Sequence, residues 1–242
     1  MLSIMKHLLT LILLLCLLLT AFGQQVLPDS GFTNKAEAKN LMVDGKKEGK
    51  WCEYMTDIFH PTKDLKIAAY YRLVVYKDGV PIGVMREYYK DGRLFRITPY
   101  VNGQIDGMQI DYYPEETVYY PYKDGKVNGL SKQYYCGQQG NGLKWENTYV
   151  NDTIVGIEKG YYENGKLRIE TPYVKGKKNG IEKYYYNTGE LAGENPYVNG
   201  KENGVEKSFY TTGELMSETP YTNGKAMATK RYDKNGNIQK RR

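Results

Sequence analysis

The chain is poor in the residues that build ordinary cores and ordinary active sites. Beyond residue 23 it holds 10 Leu, 11 Ile, 14 Val and 4 Phe, 39 of 219 residues, about 18%. So small an apolar share, joined to a high net charge, marks a disordered chain. Here 34 basic residues stand against 28 acidic ones, a net charge of only +6, and 25 tyrosines raise the bulky residues to 64 of 219. Disorder is thereby excluded, and so is a Leu/Ile/Val interior. Tyrosine has to do the packing, with most side chains near water. Histidine is nearly absent: His7 and His60 are the only two. A zinc centre needs three or four ligands, and past the leader the only His and Cys candidates are His60, Cys52 and Cys136. A Ser-His-Asp or Cys-His constellation would rest on His60 alone, with no motif to orient it. Calcium loops of the D-x-D-x-D-G type and phosphate loops ending in Gly-Lys-Ser/Thr are missing too. The composition points to a non-catalytic protein with no cofactor and no metal.

Long apolar runs are also missing, except for one. Residues 1–23 read MLSIMKHLLTLILLLCLLLTAFG. Leu8 to Leu19 is broken only by Thr10, and Ala21 and Gly23 supply the small residues of a signal-peptidase site between Gly23 and Gln24. The apolar run from Leu8 to Phe22 is shorter than the roughly 18–20 residues that span a bilayer. Cys16 has no small residue before it, so the leader is not of the lipoprotein type. The expectation is cleavage and export to the periplasm or the exterior. Cys52 and Cys136 fall about three repeats apart, roughly 29 Å along a stack of strands, too far for a disulfide.

The rest of the chain repeats itself. Three consecutive 24-residue units occupy 149–172, 173–196 and 197–220. Anchor tyrosines Tyr76, Tyr100, Tyr122, Tyr149, Tyr173, Tyr197 and Tyr221 extend the register backward, and a glycine series from Gly49 to Gly204 repeats it. An earlier unit opens at residue 43, and a degenerate one closes at 221–237. The predicted organisation is a signal peptide 1–23, an N-terminal cap segment 24–42, a repeat domain 43–237 of about seven units plus the closing one, and a basic tail 238–242.

Each unit decodes as two strands and two turns. Fourteen of the 26 glycines follow Asn or Asp, the pairing that supplies positive φ in tight hairpins. Glycines every 10–12 residues exclude helices. The prediction is an all-β fold: an elongated antiparallel meander of stacked β-hairpins with a period of about 24 residues. Pro99, Pro121, Pro172, Pro196 and Pro220 are expected at strand ends, since proline cannot donate to a ladder. Period-two alternation places Ile181, Tyr185 and Leu191 on one face, the more apolar and therefore the expected packed side.

The opposite face receives Tyr89, Tyr113, Tyr135, Tyr162, Tyr186 and Tyr210. This ladder has two readings, a recognition surface or stacked rings that stabilise the sheet. Lys132, Lys159, Lys183 and Lys207 recur between the aliphatic and aromatic ladders. They form either a stripe for anionic membrane or polysaccharide, or stems that cover the sheet with their heads in water. The spacing between Gly49 and Gly83 is ten residues too long. The excess falls at Thr56–Asp64 as an enlarged hairpin loop holding His60, either a recognition loop or a tolerated insertion. A second irregularity is the glycine-rich turn at 136–142. Export and weak net charge argue against nucleic acid.

The pattern G-x-x-x-x-YY-x-x-G-x-L-x-x-x-x-P-Y-x-N-G-K resembles the MORN repeat variant of bacterial proteins, including a YwqK-type, antitoxin-like group. The resemblance spans roughly residues 43–237. It implies a binding or scaffold module with a protein partner, or alternatively an immunity-type protein that neutralises a toxin, here outside the cytoplasm. Amino-terminal sequencing of protein recovered from its native cell is expected to begin at Gln24; an intact Met1 would overturn export.

Overall fold

The computed structural model describes residues 31–136 and 142–239. The leader with its Gly23/Gln24 site, the start of the cap segment, most of the 136–142 turn and the last three residues lie outside the described residues. The described strands form one antiparallel sheet of 22 strands. They run in chain order, each unit giving a first strand such as Gly180–Tyr185 and a second such as Leu191–Val198. The expected meander is what the chain builds.

Two turn types drive it. At six Asx-Gly turns, beginning at Asp44, Asp78, Asn102, Asp124, Asn199 and Asn223, both central residues have positive φ, as in Asn199 (51°) and Gly200 (84°), the signature of type I′. Lys175-Gly176 and Asn151-Asp152 adopt the same conformation without the favoured pair. The second turn residue also donates to the preceding unit: Gly125 N to Ile105 O (2.8 Å), Asp152 N to Val127 O (2.9 Å), Gly200 N to Lys178 O (2.8 Å). The turns are thus stacked on one another. At the other edge of the sheet a Tyr-x-x-Gly turn recurs at Tyr89, Tyr162, Tyr186 and Tyr210, with Gly189 N donating to Tyr186 O (2.9 Å) and Tyr186 N to Glu190 O (2.8 Å).

The prolines do not end strands. Pro99, Pro172, Pro196 and Pro220 each lie two residues before the end of theirs, and the interruption falls in the strand beyond. Proline offers that neighbour a carbonyl but no N–H. Its carbonyl takes the amide of the residue before the next glycine, as in Asn203 N to Pro196 O (2.9 Å). The neighbouring strand then splits into Lys201–Glu202 and Gly204–Phe209. Gly204 sits at φ 129°, and a Cβ there would lie 2.7 Å from the Pro196 ring. Where Thr148 replaces the proline, the next strand, Thr153–Tyr161, runs unbroken through Gly156 at φ 74°, with open space around it.

The insertion is not a free loop. Pro61–Thr62 folds back against Tyr54–Met55. Leu41–Val43 pairs with Lys46–Glu48, and the Asn40 side chain both accepts from Cys52 N (2.8 Å) and donates to its carbonyl (3.2 Å). The outer edge of the first long strand, Lys46–Met55, is therefore covered along its length.

Packing corrects the face assignment. Ile157, Ile181 and Val205 are 54%, 50% and 41% exposed, whereas Glu182 and Thr171 on the opposite face are fully buried. The physical reason lies in having only one layer. With no second layer, a side chain is covered by taller neighbours on its own face. Tyr173, Lys178, Tyr184 and Tyr197 share a face with Glu182 and Thr171, and these long side chains stand over the short ones. Both faces are closed only at the N-terminal end. There Phe32 packs on Leu73 and Tyr88, and Val74, Tyr76 and Met85 cluster with Trp51 and Tyr100 on the other side.

Gly204→Ala adds both left-handed strain and a clash, and should cost about 1–3 kcal/mol of stability. Pairing it with Pro196→Ala removes the clash, so the double variant should recover part of the loss in thermal denaturation followed by circular dichroism. Equal stability of Gly204→Ala and the native chain would refute the coupling.

Candidate functional site

The strand register aligns one row of side chains on each face. On the face of Glu182, here the glutamate face, Glu53, Arg72, Glu87, Arg96 and Asp111 stand opposite one another across five successive long strands. Arg96 grips Asp111 at 2.7 and 3.1 Å and lies 3.7 Å from Glu87. Burial alone would raise the Glu53 carboxyl, but Lys47 and Arg72 overcome it and hold the group below its ordinary range. Burial dominates at Glu87 and pushes it up against the pull of Arg96 and Arg72.

The opposite face, here the lysine face, has its own row in the other half of the molecule. Lys132, Glu146, Lys159, Glu170, Lys183, Glu194, Lys207, Glu218 and Lys230 succeed one another strand by strand. The lysines singled out in the sequence are thus half of an alternating ladder, not a basic stripe. Tyr161 and Tyr185 donate to Glu146 (2.7 Å) and Glu170 (3.0 Å). Burial and these carboxylates raise both phenols to about 12.

Four of the six tyrosines of the predicted ladder tie one unit to the next. Tyr135, Tyr162, Tyr186 and Tyr210 donate to the carbonyls of Tyr161 (3.0 Å), Tyr185 (2.6 Å), Phe209 (2.7 Å) and Tyr232 (2.9 Å). Tyr89 joins an aromatic cluster in which Phe59 of the insertion stacks on Tyr70 at 4.9 Å. Tyr113 is 46% exposed. His60 is exposed, and its backbone closes the insertion turn with Thr56. The structure brings His60 together with none of the tyrosines Tyr113 to Tyr210. Cys52 and Cys136 are free thiols, as the linear stack requires.

What the sequence did not single out is a recurring cage on the glutamate face. The Lys47 ammonium bonds Glu53 and stands 5.1 and 4.8 Å from the ring centres of Trp51 and Tyr76. Lys178, at the same repeat position, bonds Glu182 and stands 4.9 Å from the Tyr197 ring centre. Each cage combines a carboxylate with the face of an aromatic ring, both attractive to a cation. In the next unit the lysine position holds Glu202, while Glu206 and Tyr221 keep the other walls. Burial and the nearby Glu206 and Glu202 carboxylates raise the Tyr221 phenol. The signal was available as a Lys-to-Glu change at one repeat position.

The geometry defines an open repeat sheet whose faces are lined by periodic side chains. The family model for the MORN repeat variant matches residues 81–102, 154–175, 178–199 and 202–223. Each match starts just past one type I′ turn and ends on the first residue of the next. These four segments are MORN repeats of the variant type, a repeat that generally serves as a protein- or membrane-binding module. No curated protein matches the chain. Among the described residues no cluster of His, Cys, Asp or Glu is disposed to hold a metal, and no helix is long and apolar enough to cross a membrane.

Tyr162→Phe with Tyr186→Phe removes two inter-unit hydrogen bonds while keeping both rings. The pair should lose about 1–3 kcal/mol in urea denaturation, the sum of two ordinary hydrogen bonds. Unchanged stability would show that the hydroxyls tie nothing.

Proposed function

We propose that the protein is an exported, non-catalytic binding scaffold whose glutamate face takes a protein partner through lysine or arginine side chains. The observation behind this reading is the cage at Glu202, Glu206 and Tyr221. It keeps the two walls that hold Lys178, with Glu206 at the position of Glu182 and Tyr221 at that of Tyr197, but glutamate stands where the lysine would be. A cation from a partner supplies the missing group. The apolar leader supports export. The alternating ladder on the lysine face offers an anionic membrane or polysaccharide no continuous basic stripe, which favours a protein partner. The resemblance to antitoxin-like repeat proteins makes a toxin with exposed basic side chains one such partner.

A second carboxylate sharpens the test. Glu158, in the repeat position of Glu206, is raised by burial and by the Glu182 carboxylate, with Lys178 opposing. A cation held there favours its ionised form, so attraction should weaken as pH falls toward the carboxylate range and Glu158 takes up its proton. Calorimetric titration with a lysine-rich decapeptide is expected to show salt-sensitive binding that weakens on acidification. Glu202→Gln with Glu206→Gln should weaken it at least about tenfold. Acetylation of the peptide lysines should do the same. Equal affinity in the double variant would remove the cage as the site.

A further inference from the structure

The lysine face carries three parallel lanes through the C-terminal half of the sheet. One lane is aliphatic and proline, with Ile157 opposite Pro172 and Ile181 opposite Pro196. The middle lane is the alternating Lys/Glu ladder. The third pairs aromatic rings with leucines, as in Tyr161 with Leu167 and Tyr185 with Leu191. The segment of Phe32 covers this face only around Leu73 and Tyr88. Farther along, the aliphatic lane is exposed at Leu130 (43%), Ile157, Ile181 and Val205. A contiguous exposed apolar stripe of this kind marks an interaction surface.

We infer that the lysine face is the interface of a symmetric homodimer, two copies packed face to face about a two-fold axis parallel to the strands. The charge pattern selects this occupant. A ladder of alternating sign has little to offer a partner of uniform charge, but it is complementary to its own reverse. A two-fold axis along the strands reverses the order of strands and leaves each lane facing itself. With the axis between Leu167–Val174 and Gly180–Tyr185, Lys132 meets Glu218, Glu146 meets Lys207, Lys159 meets Glu194 and Glu170 meets Lys183. Every contact joins opposite charges.

The same operation fits the other two lanes. Ile157 faces Pro196 and Pro172 faces Ile181. Tyr161 faces Leu191 and Leu167 faces Tyr185. A two-fold axis across the strands would instead set like charges against each other. Face-to-face packing with the strands of the two sheets roughly aligned is an ordinary arrangement, and an isologous interface requires this self-complementarity. The glutamate face and its cage stay outside the interface.

Sedimentation velocity on the chain from Gln24 onward, which retains every described residue, tests the inference. Twice the monomer mass is expected at micromolar concentration, with dissociation as salt is added. Ile157→Asp with Ile181→Asp alters two half-exposed side chains, so circular dichroism should stay native while the mass falls to that of a monomer. A second experiment isolates the ladder. Lys159→Glu, Lys183→Glu and Lys207→Glu in one chain, and Glu146→Lys, Glu170→Lys and Glu194→Lys in another, should each be monomeric alone and form a 1:1 heterodimer when mixed. A native chain that stays monomeric at low salt, or a dimer untouched by the aspartate pair, overturns the inference.

Discussion

Backbone hydrogen bonding between adjacent strands is the constraint on which everything else here depends. A sheet one layer thick has no interior in which a strand can bury its amides, so nearly every amide has to be met by the strand beside it. The type I′ turns enforce this by setting the register, and their own amides extend the bonding to the turn before. Each proline removes one donor from the ladder and shifts the disturbance one strand along, where glycine absorbs it. Stability in such an arrangement is a sum over neighbours. The two small clusters at the N-terminal end make that end the best supported, and the covered edge there closes the stack.

Side chains obey the same geometry. A residue on this sheet is hidden only by the residues around it on its own face. Short polar groups such as Thr171 therefore become buried beneath long ones, and aliphatics such as Ile181 remain in water. Glu182 tolerates full burial because Thr171, Lys178 and Tyr184 supply its donors. Hydrophobicity, the usual guide to what is inside, fails when the inside is produced by height rather than by a second layer.

This explains what could be read from the sequence. Asn199-Gly200 and its counterparts announced the turns, the 24-residue period announced the units, and alternation placed residues correctly on their faces. Which face was the covered one was not legible, because the rule used to choose it assumes two layers. The reach of the insertion was also hidden, since Pro61–Thr62 returns to the strand that precedes it and only three dimensions show the edge it covers. Tyr162 and Tyr186 were legible as a ladder but not as ties, because a phenol that bonds a carbonyl some two dozen residues on leaves no local mark. The cage was legible in principle: at one repeat position lysine gives way to Glu202, a change with meaning only beside the two lysines already held.

The alternating ladder also bears on how such a chain can lengthen. From Gly129 to Thr222 each unit contributes one lysine from its first strand and one glutamate from its second, so such a unit is electrically neutral on that lane and begins with the charge that its predecessor needs. Tandem duplication of 24 residues would add a step of zero net charge and leave the order of signs intact. A molecule built this way can change its length by whole units while every lane keeps its chemistry, whereas loss of a single strand would bring two like charges side by side.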